Sequence, residues 1–199
     1  MAKEIKNLCM FCGSQMGDYA KYSDQLEDFA RKVSNLGYRI IFGAGQEGFM
    51  GKIYHGAIRA EKHSITGVPM FAFLNEVNDK EKFNQLYLAE TLGKRKDLFV
   101  DLADAFIVFP GSFGTIDEYF HVLLLNAYNV IDKPIILVNI ERYFDLLEEV
   151  TFLPIKHHFS KPEQLKNVFS VSKIDDILPC ILNAPDKFSL YNKYLNKGV

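Results

Sequence analysis

The stretch Pro110-Gly111-Ser112-Phe113-Gly114-Thr115-Ile116-Asp117-Glu118 is where this sequence concentrates groups able to do chemistry. An apolar run, Ala105 to Phe109, leads into a Gly-rich turn and then a helix expected to begin near Thr115. Such a helix start leaves unpaired amide N–H groups facing whatever lies above them, and the hydroxyls of Ser112 and Thr115 add further ligands, so the arrangement suits a phosphate. A plainer reading makes Thr115 an N-cap, with Asp117 and Glu118 as first-turn acids that complement the helix dipole. Both readings remain open on the local sequence.

Two more Gly turns follow apolar runs: Cys12-Gly13-Ser14, and Gly43 through Gly51. In an open parallel sheet ligands bind at the carboxyl ends of the strands, and glycines there let amides approach an anion closely. Gly13, Ser14, Gly43, Gly45, Gly111, Ser112, Gly114 and Thr115 are therefore candidates for a shared phosphate-binding crevice. Gly43 to Gly48 also fits G-x-G-x-x-G, but no acid stands where a dinucleotide ribose would need one.

Arg95 lies in the middle of the apolar stripe Leu92, Leu98, Phe99, Leu102, Ala103 of a helix expected over Thr91 to Ala103. An inward guanidinium must find an anion, because an unpaired buried charge is too costly. The partner is either a structural carboxylate, Glu118 among them, or a substrate phosphate.

The helix expected over Thr115 to Tyr128 is apolar on two faces at about 100° per residue. Ile116, Phe120, Leu123 and Ala127 form the expected core face, while Glu118 points the other way with Val122 and Leu125. Something must cover that second face, either another layer of the chain or a second subunit, and the expectation is a homodimer. A carboxylate at the edge of such a contact loses water, so its pKa rises and it becomes a better base. Cys9 and Cys12 have redox spacing but lie within one strand on opposite faces, and read as core cysteines. His157 and His158 lack further ligands nearby and read as surface residues, so no metal is expected.

Apolar runs alternate with helical patterns throughout, which is the signature of β-α units. Strands are expected at Ile5 to Cys12, Tyr38 to Phe42, Ser64 to Pro69, Ala105 to Phe109, Pro134 to Asn139 and Val168 to Val171. Leu26, Phe29, Ala30 and Val33 have helical spacing, and Ile53, Tyr54, Ala57 and Ile58 more loosely. The expected architecture is a Rossmann-like three-layer α/β sandwich with a mostly parallel sheet, a single domain over 1–183 and a C-terminal tail over 184–199 with little core of its own. Met70 to Gln85 resists assignment and reads as a loop placed to cover a site.

The 199 residues, 48% hydrophobic, suffice for one core without staples. With 23 basic against 25 acidic residues the chain lacks the surplus cations of a nucleic-acid binder. Three cysteines and no long apolar segment point to a reducing cytoplasm and no membrane span.

PGSFGTIDE resembles the PGGxGTxxE signature of the LOG ("lonely guy") family, and LGKRKDLF resembles the Arg-Lys helix that precedes it there. FCGS, FGAGQEGFMG, ADAFIVFPG and DKPIILVN follow in the family's order, so the resemblance spans roughly residues 8–150. It implies a dimer that hydrolyses the N-glycosidic bond of a nucleoside 5′-monophosphate, giving free base and ribose 5-phosphate, with no cofactor. The family's catalytic arginine and glutamate match Arg95 and Glu118. Its phosphate turn matches Gly111, Ser112, Gly114 and Thr115, and Lys96 falls on the Arg-Lys pair as a further substrate contact. The chain departs from the pattern at Ala44, Leu92, Lys94, Ser112 and His121. These departures leave room for a rival reading, a nucleotide-binding sensor without catalysis.

Overall fold

Strand sequences such as LCMF, AFIV and IILV are apolar without alternation, which is what a sheet covered on both faces requires. In the computed structural model, which describes residues 4–182 and 186–195, they form a seven-stranded sheet. Its strands are β1 (Asn7–Phe11), β2 (Arg39–Phe42), β3 (Ile65–Gly67), β4 (Gln85–Leu86), β5 (Ala105–Val108), β6 (Ile135–Val138) and β7 (Val168–Val171). All pair in parallel, in the order β4-β3-β2-β1-β5-β6-β7.

Helices α1 (Ser23–Asn35), α2 (Gly48–Ile58) and α6 (Ile177–Leu182) pack on one face, over Leu8 and Met10 of β1. Helices α3 (Leu92–Leu102), α4 (Phe113–Ala127), α5 (Asp145–Lys156) and α7 (Leu190–Leu195) pack on the other, over Cys9 and Phe11. The sheet is thus doubly wound, and its direction of winding reverses between β1 and β5. The carboxyl ends of those two strands are where such a sheet opens a crevice. Among the described residues no helix is long and apolar enough to cross a membrane.

All six expected strands are present, most of them shorter at their ends. The two-residue edge strand β4 carries too little pattern to be read from sequence. Met70 to Gln85 resists assignment because it consists mainly of two short 3₁₀ turns, Phe71–Glu76 and Lys80–Lys82. Val77 and Phe83 anchor it in the core, Phe83 stacks on Phe42 and Tyr54, and Gln46 bonds both polar groups of the Asn78 backbone at 2.7 and 2.8 Å. In the expected tail, residues 184, 185 and 196–199 lie outside the described residues. Within its described part, Leu190 and Tyr194 are buried, Tyr194 stacking on Phe152, so this stretch adds to the core where little was expected.

The buried face of α4 is turned from the expected one: of the expected core residues Phe120 is exposed, Ile116 and Ala127 are half-buried and only Leu123 packs against the core. Thr115, Tyr119, Val122 and Asn126 point inward, while Phe120, Leu124 and Tyr128 are exposed. Hydrophobic spacing cannot rank two apolar faces, and here the inward polar groups are satisfied. The Tyr119 and Thr151 hydroxyls bond at 2.8 Å, and the Asn126 side chain pairs with both backbone polar groups of Lys133. Val122 is therefore covered by its own chain and not by a second subunit. Val122→Glu should prevent folding, because it buries an unpaired charge, whereas Leu124→Glu should fold with an unchanged far-ultraviolet circular dichroism spectrum. A folded Val122→Glu would overturn this assignment of the faces.

Candidate active site

The turns after β1, β2 and β5 meet at the reversal point and brace one another. Gly13 N–H donates to Pro110 O at 3.1 Å, and Met50 N–H at the start of α2 donates to Gly13 O at 3.3 Å. The β1 and β5 turns are packed so closely that a Cβ on Gly111 would lie 2.2 Å from Thr115 Oγ1 and 2.8 Å from Gly13 N. Between them is a cleft of about 170 Å³ lined by Gly13, Ser14, Gly43, Ser112, Gly114, Thr115, Arg95 and Glu118, together with Met10, Phe11, Cys12, Met50 and Phe99.

Of the residues expected to share a site, eight are brought together in this cleft. Gly45, Gly111 and Lys96 do not line it. Gly45 packs against Met50, Gly111 packs between Thr115 and Gly13, and Lys96 Nζ is engaged by Asp117 Oδ1 at 2.9 Å. Sequence reading passed over Cys12, Met50 and Phe99, which look like ordinary core residues. Cys12 and Cys9 are free thiols, and burial holds their pKa values well above the ordinary thiol range, so both are protonated. His157 and His158 are exposed.

The two neighbouring helices begin differently. Thr91 caps α3, its Oγ1 accepting Lys94 N–H at 3.1 Å. Ser112 occupies the N-cap of α4 but its side chain caps nothing, and Thr115, expected at or before the start, is the third helical residue. The amides of Phe113, Gly114 and Thr115 therefore have no intrahelical acceptor and no side-chain cap from Ser112. This end, carrying the positive pole of the helix, faces the cleft.

Arg95 is held mainly by backbone carbonyls. Its Nε donates to Val68 O at 2.8 Å and its Nη2 to Gly43 O at 3.2 Å, and the guanidinium lies 5.3 Å from the centre of the Phe99 ring. Arg95 can hold this position only over a glycine, since a Cβ on Gly43 would fall 2.1 Å from Nη2 and push the guanidinium away. The next residue, buried Ala44, is held at φ 64, a left-handed conformation that costs a non-glycine residue about 1–2 kcal/mol. Strain is thus stored in the turn that grips Arg95.

Glu118 Oε1 lies 3.7 Å from Arg95 Nη1, within ion-pair range but longer than a hydrogen bond. Burial pushes its pKa from 4.5 to about 7, Asp117 adds to the rise, and Arg95 and Lys96 oppose it. A carboxylate with that pKa can exchange a proton near neutrality, and its oxygens are free to engage a ligand. One turn on, His121 Nε2 is buried without a hydrogen-bond partner among the described residues, and burial together with Lys96 lowers the pKa of the ring. Among the described residues no group of three or more potential ligands is placed to hold a metal ion.

A family described as possible lysine decarboxylase matches residues 50–181. A probable cytokinin riboside 5′-monophosphate phosphoribohydrolase of Arabidopsis thaliana is 29% identical over 165 residues, covering 79% of this chain and 82% of that protein. A cytokinin riboside 5′-monophosphate phosphoribohydrolase of the same plant is 26% identical over 183 residues, covering 88% and 85%. Among solved structures, the Moco carrier protein of Chlamydomonas reinhardtii aligns with a TM-score of 0.65 at 12% identity, over 93% of this chain and 100% of that one. The molybdenum cofactor binding protein of Rippkaea orientalis aligns with a TM-score of 0.63 at 17% identity, over 91% and 97%. These structures share the fold.

The raised pKa of Glu118 makes a prediction about stability. The folded protein binds this proton more tightly than the unfolded chain, so stability is lost as pH rises from the ordinary value of 4.5 through about 7. Glu118→Gln abolishes that loss and should be more stable than the parent by about 3 kcal/mol at pH values above about 8. Urea unfolding as a function of pH should show the gain shrinking toward pH ~5. A constant difference at every pH would mean that Glu118 is not buried as a charge.

Proposed function

The chain belongs to the family described as possible lysine decarboxylase, to which the LOG proteins belong, and on that premise we propose that it is a phosphoribohydrolase acting on a nucleoside 5′-monophosphate. The products would be free base and ribose 5-phosphate. The observation that carries this reading is the meeting, in one cleft, of an uncapped helix start, a carboxylate with a pKa near 7, and Arg95.

In this reading the 5′-phosphate occupies the α4 terminus, held by the amides of the Ser112 to Thr115 turn and by the Ser112 and Thr115 hydroxyls. Gly13, Ser14 and Gly43 form the opposite wall. Breaking the C–N bond develops positive charge on the ribose, and Glu118, as a carboxylate beside it, stabilises that charge and orients the attacking water. Arg95, fixed by two carbonyls, holds substrate and carboxylate in register. Remote binding of the phosphate then contributes to the rate as well as to affinity. Lys96 supports the site through Asp117, beside Glu118. The decarboxylase in the family's description gains no support here, since no lysine among the described residues lines the cleft to form the Schiff base that such chemistry uses.

The cleft is smaller than the roughly 300 Å³ at which pockets for drug-sized ligands begin. It suits phosphate and ribose, leaving the base toward the open side. A second copy is the proposed cover for the exposed stripe Phe113, Phe120, Leu124 and Tyr128 along α4, with Leu146, Val150 and Leu153 along α5. In sedimentation or light scattering the parent protein should be a dimer and Leu124→Glu a monomer. A monomeric parent at micromolar concentration removes this part of the reading.

Base release from a panel of nucleoside monophosphates, AMP among them, tests the activity. Arg95→Ala and Glu118→Gln should each lower the rate by at least about 10²-fold, with the double variant little worse than either. Adenosine should be a far poorer substrate than AMP. Because the ionised form of Glu118 does the work, kcat/KM should rise with pH through about 7 and then level off. Glu118→Gln releasing base at the parental rate would exclude this mechanism. A parent protein that binds nucleotides but cleaves none would favour the non-catalytic sensor.

A further inference from the structure

The loop between β6 and α5 is more strained than a surface connection needs to be. Glu141 and Arg142 are consecutive non-glycine residues in the left-handed region, at φ 49 and 65. Side chains hold them there. Asn139 accepts Phe144 N–H at 2.7 Å and donates to Asp145 Oδ1 at 3.0 Å and Glu148 Oε1 at 2.9 Å. Glu148 is itself buried and also accepts from Ser170 and Lys193. Strain kept in place by so many contacts tends to mark a conformation with a use.

What the loop places is Tyr143. Its ring sits between Phe144, 4.8 Å away, and Tyr19, 5.3 Å away and edge-on, and its hydroxyl donates to Gly111 O. Glu141 pairs with Lys21, which belongs to the same post-β1 segment as Tyr19 (Gly17–Tyr22). The β6 loop and the post-β1 segment are thus clipped together, with the Tyr143 hydroxyl on the Gly111 turn.

The Gly111–Ser112 peptide is trans, so its C=O and N–H point to opposite sides. Anchoring the oxygen on Tyr143 turns the Ser112 N–H away from the loop, while Ser112 itself lines the cleft. From the other side Gly13 N–H holds the preceding carbonyl, Pro110 O, at 3.1 Å. With both carbonyls pinned, the turn has little freedom to rotate the Ser112 amide.

We infer that Tyr143 is a positioning residue, its hydroxyl holding the Gly111–Ser112 peptide so that the Ser112 N–H joins the open amides of α4 as a donor to an anion. The inference rests on the phosphate site proposed above and assigns that site a support outside the cleft. Tyr143→Phe keeps the ring contacts and removes only the hydroxyl, so fold and melting temperature should be unchanged. The dissociation constant for inorganic phosphate and the KM for AMP should each rise about three- to tenfold, while kcat/KM for adenosine, which has no phosphate, stays the same. A Tyr143→Phe protein with parental phosphate affinity and KM overturns the inference, as does an equal loss on AMP and adenosine. A parent protein that neither binds phosphate nor releases base removes the proposed function, and this inference with it; a fully active parent with an indifferent Tyr143→Phe removes this inference alone.

Discussion

A guanidinium turned inward beside the buried Phe99 has to be given acceptors, and much of this site can be traced to how Arg95 receives them; Leu92, expected on the same inward stripe, is exposed. Two come from the carboxyl ends of neighbouring strands, Gly43 O and Val68 O, so the side chain ties α3 to the sheet. The guanidinium occupies the space that a side chain on Gly43 would take, and the next residue, Ala44, is in a strained left-handed turn. Two neutral carbonyls fix the guanidinium without neutralising its charge, and Glu118 stands off at 3.7 Å. Burial then outweighs attraction in setting the carboxyl pKa near 7. A tighter ion pair would hold that pKa lower and leave Glu118 a weaker base.

The second organising feature is the unequal treatment of two helix starts. α3 closes its own terminus with Thr91, whereas α4 leaves Ser112 unused as a cap. An open terminus at the reversal point of a doubly wound sheet is a natural anion site. Of the left-handed non-glycine residues, Ala44 lies in one of the turns around it and Glu141 and Arg142 precede Tyr143, which reaches Gly111, while Asp79, Asn129 and His158 lie elsewhere. At Ala44, Glu141 and Arg142 the strain sets the direction of particular carbonyls and amides.

α4 also shows why an apolar pattern can mislead. Its inward face carries Thr115, Tyr119 and Asn126 beside Val122, and its outward face carries Phe113, Phe120, Leu124 and Tyr128. By composition the outward face looks more like core. Tyr119 and Asn126 are affordable inside because Thr151 and the Lys133 backbone meet their polar atoms, and those partners lie on other elements. The apolar face turned to solvent is a reason in its own right to expect a partner surface.

Strand and helix alternation, the three Gly turns and an inward Arg95 in need of an anion, with Glu118 one of the partners left open, were legible in the sequence because each depends on local composition: continuous apolar runs, residues tolerant of tight turns, and a charge set among apolar residues. So was the crevice, since a parallel sheet of β-α units brings its strand ends to one edge. Tertiary structure alone decided which face of α4 lies inward, that Lys96 turns to Asp117 and away from the cleft, that Cys12, Met50 and Phe99 line it, and that Tyr143 reaches Gly111 from 32 residues away. The physical reason is the same in each case. A side chain's surroundings, and with them its pKa and its hydrogen bonds, are set by segments distant in the chain, and a one-dimensional pattern records what a residue can do but not which neighbour it meets.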